Sequence, residues 1–141
     1  MTTKRESILA AIRTALTDTT GVGTRIYRSR VVPLSRSESP AIVVEPLTDI
    51  ANNGVLPKLD WTMTVLISVI VRGDPADQLA DPIVEDIHTK LIANQSLHAL
   101  ISGLVPTRVS FNMVEADQDA GVVSLEYEVR YRTSYANLSV S

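Results

Sequence analysis

Residues 59–72, LDWTMTVLISVIVR, alternate between apolar and polar positions. Trp61, Met63, Val65, Ile67, Val69 and Val71 are apolar. Asp60, Thr62, Thr64, Ser68 and Arg72 are polar, and only Leu66 and Ile70 break this second set. A period of two, filled with β-branched residues, predicts a strand buried on one face along its whole length. The two exceptions predict that the second face is partly covered near the middle, by another segment or by another copy of the chain. A strand of ~14 residues spans ~45 Å. That is long for a small domain, so the strand is expected to bend or to project beyond the body.

Other segments carry weaker patterns. Residues 7–16 place Ile8, Ile12, Ala15 and Leu16 at helical spacing, and Leu9 widens the stripe. Thr2 or Thr3 can cap this helix, with Glu6 as the capping-box partner of Thr3. Gly21 and Gly23 follow its end. Asp74-Pro75 begins a second helical region, with Asp77 in its first turn. Asp81-Pro82 repeats the start signal and predicts a kink or restart, followed by a helix to Asn94 that buries Ile83, Ile87 and Leu91.

Residues 25–32 predict a strand of mixed pattern, with Arg28 and Arg30 on the face of Ile26. Residues 41–45, AIVVE, predict a short central strand ended by Pro46. Residues 47–58 lack a period; with Asn52, Asn53, Gly54 and Pro57 they predict a mobile hairpin loop. Residues 94–106 read as a connection. Residues 107–114 alternate with Val109, Phe111 and Met113 on one face, 116–121 read as a hairpin turn, and 122–133 alternate cleanly. The order α-β-β-β-α-β-β predicts an α+β two-layer sandwich, a mostly antiparallel sheet with two helices packed on one face. One domain is expected over residues 1–133, with a flexible C-terminal tail at 134–141.

Composition narrows the function. The chain of 141 residues is 45% hydrophobic and 21% charged, ordinary values for a globular domain with one core. Its net charge of −3 argues against a dedicated nucleic-acid binder, whose affinity rests on neutralising phosphates. The absence of cysteine excludes disulfides, thiolate chemistry and most structural zinc sites, and fits a reducing compartment. Glu6, Arg13 and Asp18 interrupt the first twenty residues, so no signal peptide is expected. No apolar run approaches the ~20 residues of a membrane span.

Two arrangements invite a metal. Asp77, Asp81, Glu85 and His88 share a helical flank, but Pro82 interrupts it, and carboxylates near a helix start are more simply a solvated face. Asp117, Asp119 and Glu128 match the first, third and last ligand positions of a calcium loop. Gly121 falls one place early for that motif and a strand follows, so the hairpin turn is the better reading. His88 and His98 are the only histidines, and neither belongs to a nucleophile motif. No catalytic residue, cofactor or metal site is expected.

The arginines have two readings of equal weight. Arg28 and Arg30 lie in the first strand; Arg130 and Arg132 alternate with Glu126 and Glu128 in the last. They form cross-strand ion pairs on a wet face. Alternatively they form an assembly surface, on which Arg28, Arg30, Arg130 or Arg132 meets Asp60, Glu126 or Glu128 of the next copy.

A resemblance favours assembly. It is carried by RIYRSR at 25–30, AIVVEP at 41–46, LDWTMTV at 59–65, RGDPADQLADP at 72–82 and ADQDAGVVSLEYEVRYRT at 116–133. In these stretches, and in length and element order, the chain resembles the tail terminator and tail-completion (minor tail, head-tail joining) family of long-tailed bacteriophages. The resemblance implies an α+β structural virion protein, not an enzyme, that forms a hexameric ring, caps the tail tube and provides the surface to which the head joins. The implied partners are further copies of the chain, the tail tube protein and a head completion or connector protein. No membrane and no sequence-specific nucleic acid are implied. The implied location is the tail or neck of the virion, after assembly in the host cytoplasm. The alternatives are a head-tail connector or neck protein of the same fold, a non-viral protein-binding module, or an enzyme whose site the sequence does not display. A closed hexamer in solution favours the ring; a monomer with a deep polar pocket favours an enzyme.

Overall fold

The structure, a computed structural model, describes residues 2–29, 39–52, 56–73, 75–114 and 120–141. The elements are α1 (Lys4–Ala15), β1 (Ile26–Arg28), β2 (Ala41–Asn52), β3 (Lys58–Arg72), α2 (Ala76–Ala93), α3 (Gln95–His98), β4 (Gly103–Val114) and β5 (Ala120–Ser134). The strands form one five-stranded sheet in the order β1-β2-β3-β5-β4. β1 runs parallel to β2, and every other neighbouring pair is antiparallel. α1 packs over β2 and α2 over β3 and β5, giving the expected α+β sandwich. Among the described residues no helix is long and apolar enough to cross a membrane.

The hydrophobic pattern builds the core. β3 and β5 pair from Lys58–Ser134 to Arg72–Ala120, so odd positions of both strands share one face. Met63, Val65, Ile67, Val69, Val123, Leu125, Tyr127 and Val129 are buried there, with Ile42 and Val44 of β2. Ile8, Leu9, Ile12 and Leu16 close over them from the first helical region, and Ile83, Ile87 and Leu91 from α2. Trp61, expected in this core, stands at its rim: it is only partly buried, and its indole Nε1 donates to Thr133 Oγ1 at 2.9 Å.

Thr3 caps α1, its hydroxyl accepting from the Glu6 N–H at 3.2 Å. The Glu6 carboxylate does not complete a capping box; it binds Arg28 instead. Of the expected kink or restart at Pro82 there is no restart: α2 continues through it. Pro82 forfeits one backbone hydrogen bond. Ala76, Ala80, Ile83, Ile87 and Leu91 nonetheless form a single buried stripe, and burying that stripe outweighs the loss. Residue 74, the expected cap, lies outside the described residues, and Pro75 occupies the N-cap. β3 ends at Gly73, whose φ is +137° and where a Cβ would meet Leu79 Cδ1 at 2.5 Å. α3 was not expected; its four residues are too few to display a period, and they are held by Asn94 Oδ1, which accepts from the Leu97 N–H at 2.8 Å.

The largest difference is in β2. Pro46 does not end it: the strand continues to Asn52, across what reads as a mobile loop. Pro46 pairs with Val65 and Thr48 with Thr64, which leaves Leu47 as an extra residue, a β-bulge. The bulge reverses the alternation. Ile42 and Val44 face the helices before it, and Asp49 after it. β4 repeats the device. It starts at Gly103, contains Pro106 and shifts register between Pro106 and Arg108. Val109 and Phe111 share one face, as expected, and it is the helix-side face; the helix layer leaves them largely uncovered, Phe111 being 64% exposed. The last residues run back along the body: Tyr135 N–H donates to Pro57 O at 2.7 Å, and Lys4 N–H to Leu138 O at 2.8 Å.

Truncating Ile67 or Leu125 to alanine is expected to cost roughly 2–5 kcal/mol, from lost transfer energy and the cavity left behind. Urea midpoints measured for both variants check this. Midpoints equal to wild type would contradict the placement of that face.

Candidate assembly surface

The sheet face away from the helices is organised in rows across the strands. Glu45, Leu66, Glu126 and Arg108 form one; Thr48, Thr64, Glu128 and Val105 the next; Ile50, Thr62, Arg130 and Gly103 the third; Asn52, Asp60 and Arg132 the last. The structure thus brings Asp60, Glu126, Glu128, Arg130 and Arg132 onto one surface. Within the subunit they are already engaged. Arg132 Nε meets Asp60 Oδ1 at 2.7 Å, Arg130 Nη2 meets Glu128 Oε1 at 2.8 Å, and Arg108 Nε lies 3.8 Å from Glu126 Oε2. Hydrogen bonding to Asp60 raises the Arg132 pKa above its ordinary value. Exposed pairs of this kind orient side chains more than they stabilise the fold. Leu66 and Ile70, the two breaks in the alternation, are half-buried on this face.

Other candidate residues fall elsewhere. Arg28 pairs with Val44, so it faces α1, where its guanidinium holds Glu6 by two bonds of 3.0 and 3.1 Å. That hydrogen bonding keeps the Glu6 carboxyl below the usual carboxylate range. Asn52 ends β2 opposite Asp60. Arg30, Asn53, Gly54, Asp117 and Asp119 lie outside the described residues. On the α2 flank, Asp77, Asp81 and Glu85 are exposed and His88 Nδ1 lies 3.0 Å from the Tyr127 hydroxyl. Among the described residues no group of His, Asp or Glu is placed to hold a metal.

The sequence reading missed a polar cluster on the helix side, at the end of the sheet where the helices thin out. The Asp49 side chain, 8% exposed, accepts from Arg5 Nε at 2.7 Å and from the Tyr131 hydroxyl. The Tyr131 ring stacks on Trp61 with centroids 6.2 Å apart, and the Arg5 guanidinium sits 5.7 Å from the Trp61 ring. Burial, aided by Asp49, pushes the Tyr131 hydroxyl well above the ordinary tyrosine value. The cluster ties α1 to β2, β3 and β5. No local signal could have found it, because Asp49 reaches this face only through the bulge at Leu47.

The described strands leave two stretches of backbone edge unpaired. Among the described residues, β4 pairs only with β5, and β2 beyond Val44 pairs only with β3. A cavity of about 440 Å³ at one end of the sheet is lined by Asn52, Asp60, Thr62, Ser102 and Arg130, with Trp61 and Tyr131. This surface offers charge, open backbone and exposed apolar side chains, which are means of association.

No family model matches the chain, and no curated protein matches it. Among solved structures it is similar to a chain in the virion of a native gene transfer agent particle. The identity is 16% and the TM-score 0.62, over 88% of this chain and 93% of that one. The two chains share a fold over nearly their whole lengths.

Two outcomes follow from the buried hydroxyls and carboxylate. Asp49→Ala leaves Arg5 and Tyr131 without their acceptor and is expected to cost roughly 2–4 kcal/mol in urea unfolding, Arg5's partial exposure holding the figure down. Burial pushes the Tyr127 hydroxyl from 10.0 up to about 12. The folded state therefore keeps its proton where the unfolded state loses it. That stabilisation is complete below pH ~10 and is lost as pH rises towards ~12. Urea midpoints measured through this window should fall for the wild type and fall less for Tyr127→Phe.

Proposed function

We propose that this chain is a structural virion protein without enzymatic activity: a tail terminator that closes into a ring, caps the tail tube and offers the surface to which the head joins. The observation that carries this reading is the fold shared almost end to end with a chain of a gene transfer agent virion. A small sandwich with a charged sheet face and open edges suits repeated head-to-tail contact, and rotation of one such contact closes a ring. Its partners in this reading are other copies, the tube protein and a head completion protein, and its place is the tail or neck of the particle. The charged sheet face, with Asp60, Glu126, Glu128, Arg130 and Arg132, takes part in contact between copies.

The test is sedimentation and light scattering of the purified chain across concentration and salt, with negative-stain imaging of the product. A closed ring, hexameric by the resemblance, is expected. It should weaken towards 1 M salt, where screening shortens to ~3 Å. Rings that cap tube ends support a terminator, and rings that bind only the head vertex support a neck connector. A chain that stays monomeric under all conditions and binds neither counts against both. Reversing Arg130 and Arg132 together to glutamate should reduce the ring population while leaving the circular dichroism spectrum unchanged. Undiminished rings would mean that these arginines serve only their own carboxylates.

A further inference from the structure

We infer that the copies join edge to edge: β4 of one subunit pairs antiparallel with β2 of the next beyond Val44, placing Arg108 opposite Glu45. The inference rests on the ring reading and specifies where its subunits meet.

The first observation is backbone supply and demand. An open strand edge presents a row of unpaired N–H and C=O groups, and a second strand satisfies them best. Among the described residues these two unpaired stretches lie on opposite sides of one sheet. Their level segments are Glu45–Ile50 on β2 and Gly103–Arg108 on β4, since the rows of the sheet link Glu45 with Arg108, Thr48 with Val105, and Ile50 with Gly103.

The second observation is sense. β2 is antiparallel to β3, β3 to β5, and β5 to β4. β4 therefore runs opposite to β2. A rotation about an axis along the strands preserves each strand's sense, so the edges meet antiparallel in a ring of that kind.

The third observation is that the two irregularities match. From the Glu45 row to the Thr48 row, β3 advances from Leu66 to Thr64 and β5 from Glu126 to Glu128. Over the same step β2 goes from 45 to 48 and β4 from 108 to 105, each with one extra residue. Pro46 and Pro106 share the row between. Either bulge alone would throw an edge out of step with a regular strand, and a proline supplies no N–H. Together the bulges keep the two edges in step with each other and with little else. Bulges and prolines also blunt edges against any pairing, and that is the outcome the experiment must separate.

Side chains agree with the register. The Arg108 side chain is 68% exposed, and its ion pair with Glu126 spans 3.8 Å. Glu45 of the next copy would lie beside it in the same row. Val105 and Ile50, 52% and 59% exposed, would fall on the same face one row apart.

The chain has no cysteine, so engineered pairs report cleanly. Directly opposed residues on neighbouring antiparallel strands bring their Cβ atoms to ~4.5–5.5 Å, close enough for a disulfide after small adjustment. The double variant Thr48→Cys with Val105→Cys, both exposed, should form a ladder of covalent multimers on mild oxidation, ending at the ring size. Each single variant, and Thr48→Cys with Phe111→Cys, should form none. Independently, Arg108→Glu should shift rings to monomers, and adding Glu45→Arg should restore them. Rings that show neither the ladder nor the charge swap overturn edge pairing and leave the ring reading intact. A wild-type chain that forms no ring overturns both.

Discussion

Strands β3 and β5 pair residue for residue from Lys58–Ser134 to Arg72–Ala120, and the remaining elements are placed by what that double ribbon needs. Its odd positions are apolar on both strands except Thr133 at one end, so one face must leave water. At roughly 25 cal/mol per Å² of buried apolar surface, that face supplies the main drive for folding. α1 and α2 satisfy it because each carries a matching stripe: Ile8 and Ile12 in one, Ile83, Ile87 and Leu91 in the other. The even positions of the same ribbon include Asp60, Glu126, Glu128, Arg130 and Arg132, so burying one face commits these charges to the other.

The ribbon is longer than the helix layer that covers it. Where the helices thin out, the polar cluster of Arg5, Asp49 and Tyr131 takes over, with Trp61 and Tyr131 stacked beside it. A buried carboxylate is tolerated there because a cation and a hydroxyl both reach it. The cluster depends on the bulge at Leu47, which turns Asp49 inward. One irregularity in β2 therefore serves two ends: it lets an acidic residue anchor α1, and it sets the step of the open edge.

β2 and β4, which flank the β3–β5 pair, differ from it in kind. β3 and β5 are regular and apolar inward, as strands buried between neighbours are. β2 and β4 each carry a proline and a bulge at the same level of the sheet. A lone edge strand with such features reads as protected against aggregation. In the edge pairing proposed above, two edges interrupted in step are matched to each other.

The β3 and β5 strands, the α1 helix with its Thr3 cap, the second helix with its buried stripe and the two-layer class were all legible in the sequence. Each depends on a local period repeated often enough to declare which side is buried. The extent of β2 and β4 was not legible. Pro46 and Pro106 signal a break to any local reading, while pairing with β3 and β5 carries both strands through, because long-range hydrogen bonds and burial outweigh one missing donor. Nor does α2 restart at Pro82, because the stripe it buries carries the helix through. The rows that set Glu45 level with Arg108, and the meeting of Arg5, Asp49 and Tyr131, join residues far apart in the chain. Local periods carry no record of register between strands, so only the tertiary structure could decide them.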